Sequence, residues 1–160
     1  MVAMRKLSFA IGLVVLIGAL PAFAADATRE TYKEAVEPIC KANTEANEKI
    51  LKGVRAKVNS GKLDAAAKQF RSAARALKRA RTQLLQVPQP PADTAQLTKW
   101  LGYVKTEIEL FEAAARKLAN GEQNSAVRMV VRLRNTANQA NNQVADFGFR
   151  YCKFQPSKFI

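Results

Sequence analysis

The sequence contains no histidine. That absence removes the commonest general base and the commonest metal-binding nitrogen. A His-based zinc site, an imidazole triad and the Glu-x-x-His di-iron pattern of helical bundles are excluded with it. Cysteine is nearly absent too: only Cys40 and Cys152 occur, far apart, with no Cys-x-x-Cys-His haem attachment motif. Glycines are few and none sits in a phosphate-cradling loop. Acids are half as numerous as bases, 13 against 26. Those present, such as Glu30, Glu34 and Glu37 or Glu107, Glu109 and Glu112, alternate with bases at helical spacing. That pattern belongs to solvated faces and i,i+4 pairs, not to a carboxylate cage for a hard cation. The expectation is a chain without metal or cofactor, and not an enzyme.

The N-terminal segment reads as an export signal. Arg5 and Lys6 precede an apolar run from Leu7 to Leu20, then Pro21 and a small-x-small cleavage site, AlaPheAla, at 22–24. The run is shorter than the ~20 residues of a membrane span. No cysteine stands at the cut to carry a lipid. Residues 1–24 are therefore assigned as a signal peptide and 25–160 as a single secreted or periplasmic domain, with no transmembrane segment after removal. Losing Arg5 and Lys6 lowers the formal charge from +13 to +11. In an oxidising compartment two lone cysteines of a small domain pair, so Cys40 and Cys152 are expected to form a disulfide.

The rest is rich in Ala, Lys, Arg, Glu, Gln and Leu and favours helix almost throughout. AsnSerGly at 59–61 and AsnGly at 120–121 read as helix ends closed by a left-handed glycine. ProGlnProProAlaAsp at 88–93 is a stiff connector, and Asp93 with Gln96 resembles a capping box. Four helices result, at about 27–58, 62–86, 94–119 and 122–150, with Pro38 expected to kink or restart the first. Apolar residues recur on one stripe of each, as in Leu97, Leu101, Val104, Ile108, Phe111, Ala115 and Leu118. Such stripes joined by short loops predict an all-α fold, an antiparallel up-down-up-down four-helix bundle of two hairpins. Cys152 is placed at the C-terminal end of helix 4, bonded to helix 1. Glycines 61 and 121 lie 60 residues apart, a weak hint of a duplicated hairpin.

Several polar residues fall on these apolar stripes. Cys40, Asn43 and Asn47 align with Val36, Ile50 and Val54, while Asn141 and Arg134 lie within the apolar arc of helix 4 and Glu107 at the edge of that of helix 3. Antiparallel register brings Asn43 and Asn47 toward Asn141, and sets Glu107 level with Arg134. Buried polar groups must be hydrogen-bonded or cost about 1–3 kcal/mol each. An Asn43/Asn47/Asn141 cluster and a Glu107–Arg134 pair are thus expected. They serve either as a satisfied network that fixes register or as the lining of a small ligand cavity.

The charge is concentrated on helix 2, which carries seven Lys or Arg against one acid, Asp64. On a helical wheel Lys68, Arg71, Arg75, Lys78 and Arg79 share one arc of about 100°. This stripe is either a solubilising face or an anion-binding one. Outside the cytoplasm its partners would be anionic envelope polymer, lipid headgroups or an acidic protein. Nucleic acid is not an expected partner, because the chain carries an export signal and no stacking aromatics interleave the stripe. The aromatic segment 147–154 is expected to plug the open end of the bundle, with Phe154, Phe159 and Ile160 alternatively forming a sticky tail within 151–160. The combination of GluProIleCysLysAlaAsnThrGluAlaAsn, IleLeuLysGlyValArg and AsnAsnGlnValAlaAspPheGlyPheArgTyrCys resembles small exported helical proteins of unassigned function from high-GC Gram-positive bacteria. That resemblance implies export, a helical domain and the terminal bridge, and no activity.

Overall fold

The computed structural model describes residues 27–156. The expected signal segment, and Phe159 and Ile160, lie outside them. The described chain consists of α1 (Arg29–Leu51), α2 (Val54–Asn59), α3 (Leu63–Leu84), α4 (Thr94–Ala119) and α5 (Gln123–Gln143), with 3-10 turns at Pro91–Asp93 and Ala145–Phe147. No strand occurs among the described residues. Four helices are long; α2 is the severed end of the first one expected. No described helix is long and apolar enough to cross a membrane.

The first helix begins at a capping box that the sequence reading missed: the Thr28 hydroxyl accepts from the Thr31 N–H, and Thr28 N–H donates to the Thr31 hydroxyl. It runs unbroken past Pro38, which lies on the exposed side. The break comes later, at Gly53, whose φ of 72° is costly for any other residue. Leu51 and Val54, on either side of that turn, are both buried in the core at 1% exposure. Gly61 and Gly121 close helices as expected, and by the same bonds. Lys62 N–H donates to Lys57 O and Gly61 N–H to Val58 O; Glu122 and Gly121 repeat this on Lys117 and Leu118.

The apolar stripes form one core. All seven residues of the α4 stripe are buried, and so are Phe70, Ala73, Leu77, Ala80 and Leu84 of α3. α4 packs along both α3 and α5, and α1 packs on α3. Phe70 meets Phe111 at 5.8 Å between ring centroids, and Arg81 Nε donates to Leu101 O at 3.1 Å. Gln69 Nε2 donates to Ile50 O at 2.6 Å, tying α3 to the last turn of α1.

Two sequence expectations are corrected at the ends of the helices. Asp93 does not cap α4. Its carboxylate is held by Arg29, with Nη2 to Oδ1 at 2.7 Å and Nε to Oδ2 at 2.8 Å. Gln96 instead donates to Gln143 O and Asp146 Oδ1. A carboxylate takes a two-pronged guanidinium in preference to a single backbone N–H. The second correction concerns the fourth helix, which ends at Gln143 rather than near 150. Gly148, at φ 63°, turns the chain, and residues 148–156 run back as an irregular segment. Helical continuation would have carried Phe149 away from Tyr32 and Trp100, which it now meets at 6.5 and 5.8 Å.

This returning segment occupies the space where α1 and α5 do not pack on each other. Cys152, in the segment and not in a helix, is bonded to Cys40 of α1, with Cα atoms 4.9 Å apart. Glu37 accepts from the backbone N–H groups of Arg150 and Tyr151. Asn141 closes a reciprocal pair with Phe154, donating to its carbonyl at 2.8 Å and accepting from its N–H at 3.0 Å. Losing one partner of such a pair leaves backbone groups unsatisfied, at about 1–3 kcal/mol. Asn141→Ala is therefore expected to speed amide exchange at Phe154 at least tenfold without altering helix content. Unchanged exchange there would mean that the disulfide alone holds the segment.

Candidate functional site

The basic stripe lies on the outer side of α3, between the edges that pack on α1 and α4. Ala66, Ala67, Phe70, Ala73, Ala74 and Leu77 bury the inner side, which leaves Lys68, Arg75, Lys78 and Arg79 exposed and Arg71 half-buried. No member of the stripe is ion-paired among the described residues. Arg75 donates to Ser72 Oγ at 2.9 Å, a contact that leaves its charge uncompensated. The one acid of the helix, Asp64, stands a turn before the stripe. Four of the five cations thus reach solvent, and a 3.6-residue period places them on a single face. The result is a positive strip along one side of α3.

The polar interior differs from the sequence expectation. Arg134 is exposed, because its neighbour Leu133, with Ala137, takes the inward position on α5. The expected Glu107–Arg134 pair does not form. Glu107 is 1% exposed, and its Oε1 has no hydrogen-bond partner. Burial pushes its carboxyl up to about 8, which favours the neutral, protonated form at neutral pH. Nor do the three asparagines bond as one cluster. Asn47, fully buried, donates to Asn43 Oδ1 at 3.1 Å and leaves its own Oδ1 unpartnered, whereas Asn141 is engaged by Phe154.

Asn43, Glu107 and Asn141 nevertheless share one small cavity of about 30 Å³, walled also by Tyr151 and the Cys40–Cys152 bridge. A water needs about 10–15 Å³, whereas metabolite pockets run from about 300 Å³. The cavity therefore suits one or two water molecules bridging Glu107 to Asn43. It contains no nucleophile beside a base and no carboxylate pair. Among the described residues no three of Cys, Asp and Glu gather where a metal ion could be held.

Several structurally decisive groups escaped the sequence reading. Glu37 was read as part of a solvated face, yet it binds the returning segment. Arg29 also reaches Asp146 at 3.0 Å and lies 4.5 Å over the Phe147 ring. The Tyr32 hydroxyl is buried without a partner, and burial pushes it up to about 12. For Glu37 and Arg29, plain charges on a helix, the long sequence separation of their partners hid the role. Comparison with protein families, with curated proteins and with solved structures found no match in any of the three.

Proposed function

We propose that the protein is an exported, non-enzymatic binding or scaffold domain whose α3 contacts polyanionic envelope polymer or lipid surfaces. The observation that carries this reading is the strip of Lys68, Arg71, Arg75, Lys78 and Arg79 on one helical face, without an ion pair among the described residues. A disulfide fits an oxidising compartment, in keeping with the basic, apolar and small-residue order of residues 1–24. The scaffold is read as an antiparallel up-down-up-down bundle. Supporting this, the pairs Phe70–Phe111 and Arg81–Leu101 run in opposite senses along α3 and α4, as do Lys117–Glu122 and Gln96–Gln143 along α4 and α5. The kinship with small exported helical proteins of high-GC Gram-positive bacteria belongs to the same proposal.

Retention on anionic vesicles tests it. Each surface cation contributes about 1 kcal/mol near an acidic bilayer. Changing all five to glutamine should weaken binding at least about 100-fold at low salt, and rising salt should release the wild type. Equal retention of the variant would end the proposal. The alternative, a small-molecule carrier using the polar interior, requires a cavity roughly ten times larger than the one beside Glu107.

A further inference from the structure

The space between α1 and α5 is filled near the disulfide by the returning segment. At the other end of the molecule, beside α2, it is open. There Val54 and Val58 of α2, Phe70 of α3, Leu118 of α4 and Val130 of α5 line a groove of about 180 Å³. Its walls are otherwise apolar, with only Arg55 and Asn59 adding polar groups, and no acid lines it. Arg55 is exposed and makes no ion pair among the described residues. Val127 and Val131, 49% and 42% exposed, extend the apolar surface onto the adjoining turn of α5.

We infer that this groove binds the anion of a free medium-chain fatty acid, with its tail among the valines and Phe70 and its carboxylate on Arg55. Size supports the assignment. At about 10–15 Å³ for a water-sized group, the groove of about 180 Å³ takes roughly a dozen such groups, enough for a medium-length alkyl tail with its carboxylate. A protein partner needs about 800 Å² of surface, far more than so narrow a slot offers. Charge supports it as well: a lone guanidinium with a free two-pronged donor edge matches a carboxylate, and nothing acidic in the lining opposes it. The groove is separate from the basic strip on α3 and from the Glu107 cavity, sharing no residue with either.

Titration calorimetry with octanoate and its neutral analogue octanol tests the inference on the full chain. Octanoate should bind at one saturable site. Arg55→Gln should weaken octanoate about tenfold and leave octanol unchanged. Val130→Trp, which fills the groove, should abolish both while helical circular dichroism stays at the wild-type level. Should that variant misfold, Val127→Glu, which sets a carboxylate at the rim, should weaken octanoate more than octanol. The five-glutamine variant of α3 should bind octanoate as the wild type does, so this inference and the polyanion proposal fail separately. The inference is overturned by an absence of saturable octanoate binding, by equal binding of both probes to Arg55→Gln and wild type, or by self-association that buries Val127 and Val131 without taking up octanoate.

Discussion

Replacing Cys40 and Cys152 together by serine should lower stability by about 5 kcal/mol, the chain-entropy value for a closure as long as this one. The bridge spans 112 positions, so its removal gives the unfolded chain far more freedom than a short loop would. A single domain has about 5–15 kcal/mol in total, and the melting midpoint should fall by more than 10 °C. The loss should also have a local signature. Trp100 is the sole tryptophan, 2% exposed and 5.8 Å from Phe149 of the returning segment. Without the bridge, the segment is kept by Glu37, Asn141, the Thr44 hydroxyl on Tyr151 O and its buried rings. Trp100 emission should then shift to longer wavelength before the helices melt. A variant that melts within about 2 °C of wild type, with unshifted emission, would show that packing and the Asn141 and Glu37 contacts hold the segment by themselves.

Glu107 governs the second large effect. Its carboxyl titrates near 8 in the folded protein against 4.5 for an ordinary glutamate, because burial disfavours the charged form. Between those values the native state keeps a proton that the unfolded chain has released. Stability from this group is therefore complete below about pH 4.5 and falls as pH rises toward 8, at about 1.4 kcal/mol per pH unit. The wild type should lose several kcal/mol between pH 5 and pH 8 in urea titrations. Glu107→Gln keeps the shape and removes the titration, so its stability should be nearly flat over that window and exceed that of the wild type at pH 8. Asp93 works in the opposite sense: Arg29 holds its carboxyl below the usual range, so its contribution is lost only in acid. A wild-type profile that is level from pH 5 to pH 8 would mean that Glu107 is ionised and paired when folded.

The helical content and its punctuation could be read from the residues alone. Periodic leucine, alanine and phenylalanine positions on α3 and α4 are local features of a 3.6-residue repeat, and Gly61 and Gly121 are local solutions to a helix end. Two cysteines leave no choice of partner within the chain. The basic face of α3 was legible for the same reason, since five charges at helical spacing share a side whatever lies opposite. Arg134 marks where such reading stops. It follows Leu133 in sequence, about 100° away on the wheel, and a rotation of a fraction of a turn about α5 decides which of them faces inward. Only packing against α4 sets that rotation.

The sequence by itself determined a helical chain with a positive face, a single cross-link and no imidazole chemistry. Each of these depends on residue type or on neighbours within a few positions. The tertiary structure alone decided that α5 stops at Gln143, that the segment beyond it folds back onto α1, and that Asn141 serves this segment in place of Asn43 and Asn47. It also left Glu107 unpaired and opened a groove beside α2. The folding back of the segment rests on partners more than a hundred residues apart in sequence, as with Glu37 and Tyr151. Each of these outcomes is set by competition for buried volume and hydrogen bonds across the assembled core, which no local pattern records.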